Sequence, residues 1–235
     1  MSLPRQIYRS LVPIRWRASF RACVNLLRAH GLYQSYSKGM VTPDGQPIPW
    51  ITYSAITYLM SLDLSKKCVF EFGCGASTHF WSRTAGNVVS VEGEKLWYDK
   101  VLSDLPKNAS LHLAADATPE SYVQPLVSQA RKYDVIFIDG WHRQHCAKSC
   151  HEFLAEDGMI IHDNTDWYPE TRAILLSYDD LIPVDFFGFV PGGAHTSITS
   201  IYFKRNFSLK PAPMPPWIPG GLKENHEKAN APVSD

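Results

Sequence analysis

The chain has 235 residues, enough to bury one sizeable core, and its formal net charge at pH 7 is zero, which argues against nucleic acid as the main partner. Its five cysteines are odd in number and fall mostly in apolar segments, a pattern that favours reduced thiols and a cytoplasmic protein over a disulfide framework. No apolar run approaches the roughly 18 residues that span a bilayer, so neither a membrane-spanning helix nor a secretory signal is expected.

Residues 1–65 form the first predicted region, which is helical and basic, and no acidic residue precedes Asp44. Hydrophobic spacing predicts an amphipathic helix over residues 14–29. Two interpretations stay open: the helix packs on the domain with a solvated basic face, or residues 5–28 make a peripheral contact with an anionic membrane or a partner. One face carries Trp16, Phe20, Val24 and Leu27, and the other carries Arg17, Arg21 and Arg28.

The next segment, residues 31–53, is rich in glycine, proline, tyrosine and serine, which predicts irregular structure. It precedes the first strand of the main domain, so it either folds over a ligand site as a lid or serves as a plain connector. A helix is predicted at its end, over residues 51–62.

In residues 66–205, apolar runs alternate with amphipathic stretches, which predicts an α/β domain. Since the strands are almost continuously apolar, we expect a parallel sheet covered by helices on both faces. The last two strands, 184–190 and 197–204, are joined by too short a link for a helix and must pair antiparallel. The other strands are predicted at 68–72, 88–92, 110–114, 134–139 and 158–163, and helices at 77–85, 94–104, 119–131, 143–155 and 169–179.

The last region, residues 206–235, is rich in proline and ends in charged residues. Such a composition cannot build a core, so an extended or disordered tail is expected.

A glycine turn follows the first strand of the main domain. Gly73 and Gly75 come between that strand and a helix that opens near Ser77. Glycine lets the backbone approach a ligand closely, and a helix N-terminus offers free N–H groups, so the turn predicts a nucleotide-like ligand. Glu71, at the end of the strand, suits a cationic or hydroxyl-bearing ligand better than a pyrophosphate.

Acidic residues also end the next two strands. Glu92 closes the second strand, where a carboxylate is placed to bind two ribose hydroxyls. Asp116 follows the third strand, and two roles stay open for it: contact with an adenine amino group, or capping of the helix near Pro119.

The fourth and fifth strands end in a second polar group. Asp139 ends the fourth strand and His142 follows it, while Asp163 and Asn164 end the fifth. The three oxygen-bearing side chains are ligands of the kind that Mg²⁺ takes, and a neutral imidazole beside them suits a general base. The alternative is that these residues only cap or pack locally.

Taken together, these motifs resemble class I S-adenosylmethionine-dependent methyltransferases. The matching segments are 71–77, Glu92, 138–142 and 158–164, and the resemblance covers about residues 66–204. Within that superfamily the chain is most similar to the small metal-dependent O-methyltransferases related to catechol O-methyltransferase, and to the sugar O-methyltransferases of antibiotic pathways.

The resemblance implies a doubly wound, mostly parallel seven-stranded sheet with a C-terminal antiparallel hairpin. It also implies S-adenosylmethionine as cofactor, with Mg²⁺ assistance, and methylation of a small-molecule or glycan hydroxyl. The implied cofactor-binding residues are Glu71, Gly73, Gly75, Ser77, Glu92, Asp116 and Asp139; the catalytic residues are His142, as general base, and Asp139; and the metal ligands are Asp139, Asp163 and Asn164.

Three alternatives remain, one of which is a methyltransferase that acts on a protein or lipid-linked acceptor at a membrane surface, as the basic helix would permit. A nicotinamide-dependent oxidoreductase would have a glycine at the position of Thr78 and a parallel sixth strand in place of the hairpin. A non-catalytic adapter would keep the fold and dock through the basic helix and the proline-rich tail.

Overall fold

A computed structural model of the chain describes residues 12–213. Its N-terminal part is helical: α1 (Ile14–Val24) continues into a π-helical turn (Asn25–Ala29), and α2 (Leu32–Lys38) and α3 (Tyr53–Leu59) follow. Helix α2 lies in the segment predicted to be irregular, so that prediction was wrong for its first part. The helix begins after Gly31, whose φ is +75° and whose added Cβ would lie 2.7 Å from the Pro43 nitrogen, a contact that only glycine avoids.

The main domain alternates strands and helices as predicted. Within residues 12–213 its strands form one seven-stranded sheet in the order β3-β2-β1-β4-β5-β7-β6. The elements are β1 (Cys68–Phe72), α4 (Ala76–Thr84), β2 (Asn87–Glu92), α5 (Lys95–Leu102), β3 (Ala109–Leu113), α6 (Pro119–Ser128), β4 (Tyr133–Ile138), α7 (Arg143–Cys150), β5 (Leu154–His162), α8 (Pro169–Leu176), β6 (Leu181–Phe189) and β7 (Thr196–Lys204).

Strands β1 and β4 form the buried centre of the sheet. Successive side chains of a strand point to opposite faces. Phe70, Phe72 and Ile136 therefore pack in one hydrophobic layer, and Val69 and Val135 pack in the other. All five are fully buried, and each such side chain contributes about 1.5–3 kcal/mol relative to an exposed one.

The end of the sheet is antiparallel, which confirms the predicted hairpin. Strands β6 and β7 pair from Leu181 with Lys204 to Phe189 with Thr196. Strand β7 also pairs antiparallel with β5, so it lies between β5 and β6. The five other strands pair parallel, and their carboxyl ends lie at one edge of the sheet.

The beginning of the predicted tail packs on the domain. Ala212 donates its N–H to the Ser61 carbonyl at 2.7 Å, and Asp63 donates to the Lys210 carbonyl at 2.8 Å. The Phe207 ring lies 4.6 Å from that of Phe203. Residues 207–212 are thus held by the loop before β1, contrary to the expectation of a tail without a core, and residues 214–235 lie outside the described part.

None of the residues of helix α1 is buried. Its apolar side chains are largely exposed, including Trp16 and Phe20. The predicted helix 14–29 packs on the domain through Leu26 of the π-helical turn, while the apolar side chains of its first part are exposed. Between residues 12 and 213, no helix is both long enough and apolar enough to cross a bilayer.

Candidate functional site

A large cavity opens at the carboxyl edge of the parallel strands, with a volume of about 970 Å³. Ligand pockets commonly measure about 300–1,000 Å³, so this one lies at the upper end of the range for small-molecule sites. It lies where strand order reverses between β1 and β4, the usual ligand position in open α/β sheets. Eight of the predicted site residues line it: Glu71, Gly73, Gly75, Ser77, Glu92, Asp139, Asp163 and Asn164.

The glycine turn forms the floor of this cavity. Gly73 has φ +106°, a conformation that side chains disfavour, and its N–H donates to the Val91 carbonyl at 2.8 Å. The Gly75 N–H donates to the Thr78 hydroxyl at 3.0 Å. Across the turn, the Trp97 indole N–H donates to the Cys74 carbonyl at 2.7 Å. These contacts hold the backbone against the cavity, as the sequence predicted.

Glu71 is a buried carboxylate with one satisfied oxygen. Its Oε2 accepts hydrogen bonds from the hydroxyls of Thr78 and Ser90, both at 2.7 Å. Its Oε1 is buried and has no hydrogen-bond partner in the described structure. Burial raises the pKa of Glu71 to about 7. An unpaired buried oxygen costs about 1–3 kcal/mol, so a ligand that donates to Oε1 or brings positive charge would be stabilised here.

The raised pKa of Glu71 makes stability depend on pH. A carboxyl whose folded pKa exceeds its unfolded value stabilises the fold while protonated, and this stability is lost as pH rises through about 7. Between pH 5 and pH 8 we expect the free energy of unfolding of the ligand-free protein to fall by roughly 2–3 kcal/mol more than that of Glu71→Gln. Urea titrations of both proteins at several pH values measure this difference, and parallel curves would contradict it.

Glu92 is held rigidly at the end of β2. Its Oε1 accepts the backbone N–H groups of Gly93 and Glu94 at 2.8 and 2.9 Å. The Cys74 thiol donates to Oε2 at 3.4 Å, and burial raises the pKa of that thiol. Cys74 is thus kept protonated, which does not suit a nucleophile. The Glu92 carboxylate lines the cavity in one fixed orientation.

Asp116 does not line the cavity. It is exposed, in a turn where Ala117 has φ +51°, and its carboxylate accepts a hydrogen bond from the Thr118 hydroxyl at 3.4 Å. Thr118 caps α6 by accepting the Ser121 N–H. The helix cap is therefore supplied by Thr118 rather than by Asp116, and the adenine contact stays a prediction.

His142 also lies outside the cavity lining. It is the residue before α7 and has φ +50°, and its Nε2 lies 2.8 Å from the Ala117 carbonyl oxygen. The ring contacts the loop after β3 and Tyr122, and it lies 6.4 Å from the ring of Trp141, which lines the cavity. The role of His142 as general base stays a prediction.

Arg143, which the sequence analysis missed, joins the two acids at the strand ends. Its Nη2 lies 3.1 Å from Asp139 Oδ1, its Nη1 donates to the Asp163 carbonyl at 2.5 Å, and the guanidinium lies over the Tyr168 ring. Burial, with the nearby charge of Asp163, raises the pKa of Asp139 well above its usual range. Burial likewise raises the pKa of Asp163 to about 6. A sequence signal existed, because an arginine four residues after an acid on a helix start is within reach of it.

The predicted Mg²⁺ ligands already make hydrogen bonds. The Arg143 guanidinium donates to Asp139 Oδ1, the Thr199 hydroxyl donates to Asp163 Oδ1 at 2.6 Å, and the Asn164 amide nitrogen lies 3.4 Å from Ser197 Oγ. These contacts engage one oxygen of each aspartate and the amide nitrogen of Asn164, so Mg²⁺ binding by the remaining oxygens stays a prediction. In the described chain, no three His, Cys, Asp or Glu residues are grouped to hold a metal ion.

Comparison with solved structures identifies the fold that carries this cavity. Neither a protein-family model nor a curated protein sequence matches the chain. Among solved structures, an O-methyltransferase from Bacillus cereus in complex with SAH aligns at TM-score 0.55 and 14% identity, over 76% of this chain and 90% of that one. Rv0187 from MTB, with cofactor bound, aligns at TM-score 0.52 and 14% identity, over 77% and 89%. The chain has the class I S-adenosylmethionine-dependent methyltransferase fold.

The observed fold differs from the one predicted for a nicotinamide-dependent oxidoreductase. That prediction required a parallel sixth strand, whereas β7 is antiparallel to both of its neighbours. It also required a glycine in place of Thr78, whose hydroxyl here bonds Gly75 and Glu71.

The remaining walls of the cavity come from outside the parallel sheet. Residues 38–41, with Pro47 and Trp50, close one side, which favours the lid interpretation of this segment over the connector. Met40 lies against Gly192 of the β6–β7 loop, where an added Cβ would be 3.3 Å from its sulfur. Trp141, Trp167 and Tyr168 form an aromatic part of the lining, to which Trp97, His79 and His195 also contribute.

Proposed function

We propose that this protein transfers the methyl group of S-adenosylmethionine to a hydroxyl oxygen of a small molecule or glycan. The observation that carries the proposal is the acidic, buried end of the cavity. Glu71 and Glu92 face the ligand space beside the glycine turn, and Glu71 Oε1 has no hydrogen-bond partner among the described residues.

The negative charge at the glycine-turn end of the cavity favours one candidate cofactor over another. S-adenosylmethionine carries a sulfonium and an ammonium, both of which are stabilised by nearby carboxylates. A nicotinamide dinucleotide would place an anionic pyrophosphate against Glu71, where like charges repel. The Glu92 carboxylate, fixed by two backbone N–H groups, is oriented to accept hydrogen bonds from two ribose hydroxyls.

The reaction needs positioning more than covalent assistance. The methyl group is already activated by the positive sulfur, so the protein must hold the acceptor oxygen in line, roughly 3 Å from the methyl carbon. Removing the acceptor proton requires a base that lines the cavity. The described imidazoles that do so are His79 and His195, and His195 lies beside the acceptor-side ring of Trp167, at 5.9 Å between ring centroids.

Isothermal titration calorimetry with S-adenosylmethionine, S-adenosylhomocysteine and NADH tests the proposal. We expect both sulfur compounds to bind in the micromolar range and NADH not to bind at equal concentration. Methyl transfer is then measured with tritiated donor and a panel of phenols, sugars and glycans. Binding of NADH alone would overturn the proposal.

The adapter alternative makes a different prediction in the same assay. A non-catalytic protein would bind donor weakly or not at all and would label no acceptor in the panel. With an acceptor in hand, His195→Ala and His79→Ala, compared with His142→Ala, would show which imidazole takes the proton.

A further inference from the structure

Among residues 12–213, helix α1 presents an exposed apolar face that the proposed methyl transfer does not require. No residue of α1 is buried, and Trp16 and Phe20 are 63% and 65% exposed. Ile14 is 76% and Leu27 is 40% exposed. Large apolar side chains exposed together on one element mark a binding surface rather than ordinary scatter.

The side chains of α1 are arranged by chemistry around the helix axis, and one of them, Arg17, is half-buried, with its Nε shielded from solvent. At about 100° per residue, Trp16 and Phe20 lie about 40° apart on one side of α1. Arg17 and Arg21 form a second row about 100° further round. An apolar row beside a basic row is the pattern of a helix that lies in the plane of a membrane interface, with its cations at the level of the headgroups.

The charge of the region has one sign. From residue 12 to residue 43 the chain carries no acidic residue. This excess of positive charge is complementary to an anionic lipid surface. Each Lys or Arg near such a surface contributes about 1 kcal/mol of attraction. The basic residues are Arg15, Arg17, Arg21, Arg28 and Lys38.

Helix α2, which follows the π-helical turn after α1, also exposes aromatic side chains. Tyr33 and Tyr36 on this helix are 69% and 57% exposed. Tyrosine and tryptophan are enriched at membrane–water interfaces, because each has an apolar ring and a polar group. Lys38, the last residue of α2, lines the cavity, so α2 connects these aromatic residues to the cavity along the chain.

We propose that helices α1 and α2 bind the surface of an anionic phospholipid bilayer, with Trp16 and Phe20 in the headgroup region. A nucleic acid would use the arginines but not an exposed apolar row. Binding to lipid does not depend on the donor cofactor, so the proposal stands or falls separately from the proposed function.

Vesicle co-sedimentation of the full chain tests this surface. We expect binding to vesicles of phosphatidylcholine with 30% phosphatidylglycerol and little binding to phosphatidylcholine alone. The pair Trp16→Glu and Phe20→Glu should lower the partition coefficient at least ten-fold. Arg17→Gln with Arg21→Gln should lower it about five-fold per charge, and raising the salt concentration should lower wild-type binding similarly.

A matched control distinguishes binding through this surface from nonspecific hydrophobic binding to vesicles. Val127→Glu replaces a 43% exposed apolar residue on α6, which packs against the other face of the sheet, and should leave vesicle binding unchanged. Circular dichroism confirms that each variant is folded. Equal binding to neutral and anionic vesicles would overturn the proposal. So would a dimer that Trp16→Glu converts to a monomer while wild-type protein ignores both vesicles, because the surface would then bind a second copy.

Discussion

Replacing Glu92 by alanine is expected to weaken the binding of S-adenosylhomocysteine about 100-fold. The carboxylate is pre-oriented by the N–H groups of Gly93 and Glu94, so it can bind two ribose hydroxyls without reorganisation. Hydrogen bonds to a charged group contribute about 1.5–3 kcal/mol each, and a loss of roughly 3 kcal/mol corresponds to two orders of magnitude. Isothermal titration calorimetry of the wild type and the variant measures the ratio directly.

Asp116→Ala is the matched control for this experiment. Both acids follow neighbouring parallel strands, but Asp116 is exposed and lies outside the cavity lining. Its replacement should leave the affinity within about two-fold, because it removes no contact with the ligand. Unchanged affinity in Glu92→Ala would show that the ribose assignment is wrong, and weakened binding in Asp116→Ala would show that the cavity extends further than the structure places it.

Replacing Arg143 by alanine is expected to lower the free energy of unfolding by about 3–5 kcal/mol. Arg143 is 8% exposed, it pairs with Asp139, whose side chain is 22% exposed, and its guanidinium also bonds the carbonyls of Gly140 and Asp163. Removing the arginine would leave the carboxylate and both carbonyls without this partner, which is the costly case. Because Asp139 can take up a proton in response, the loss should be smaller at pH 5 than at pH 8. Urea denaturation at both pH values gives the two differences.

Arg172→Ala is the matched comparison for the stability loss expected of Arg143→Ala. Arg172 forms a bidentate pair with Asp185 at 2.8 and 3.0 Å, but both side chains are partly exposed. Arg172→Ala should cost no more than about 1 kcal/mol. Adding Asp139→Asn to Arg143→Ala should recover part of the loss, since the unpaired carboxylate is gone. A cost below 1 kcal/mol for Arg143→Ala would mean that Asp139 is neutral in the wild type.

The predicted strands and the glycine turn agree with the structure because their signals are local. Strand β1 was predicted at the observed residues, 68–72, and the turn at Gly73 and Gly75 lines the cavity. Helix ends were less accurate: α7 was predicted to run to residue 155 but ends at Cys150, where a single 3₁₀ turn leads into β5. The strand begins at Leu154 because it must pair with Tyr133 of β4, a contact that no local pattern reveals.

The amino-acid sequence by itself determined which residues reach the ligand edge of the sheet. Apolar periodicity places the strands, and parallel pairing brings their carboxyl ends to one edge, so Glu71, Glu92 and Asp139 share the cavity. Only the tertiary structure decided how the side chains there are used. His142 turns to Ala117, 25 residues earlier, and Arg143 reaches Asp163, 20 residues later. Such contacts depend on the positions of separate elements in space, which spacing along a chain does not encode.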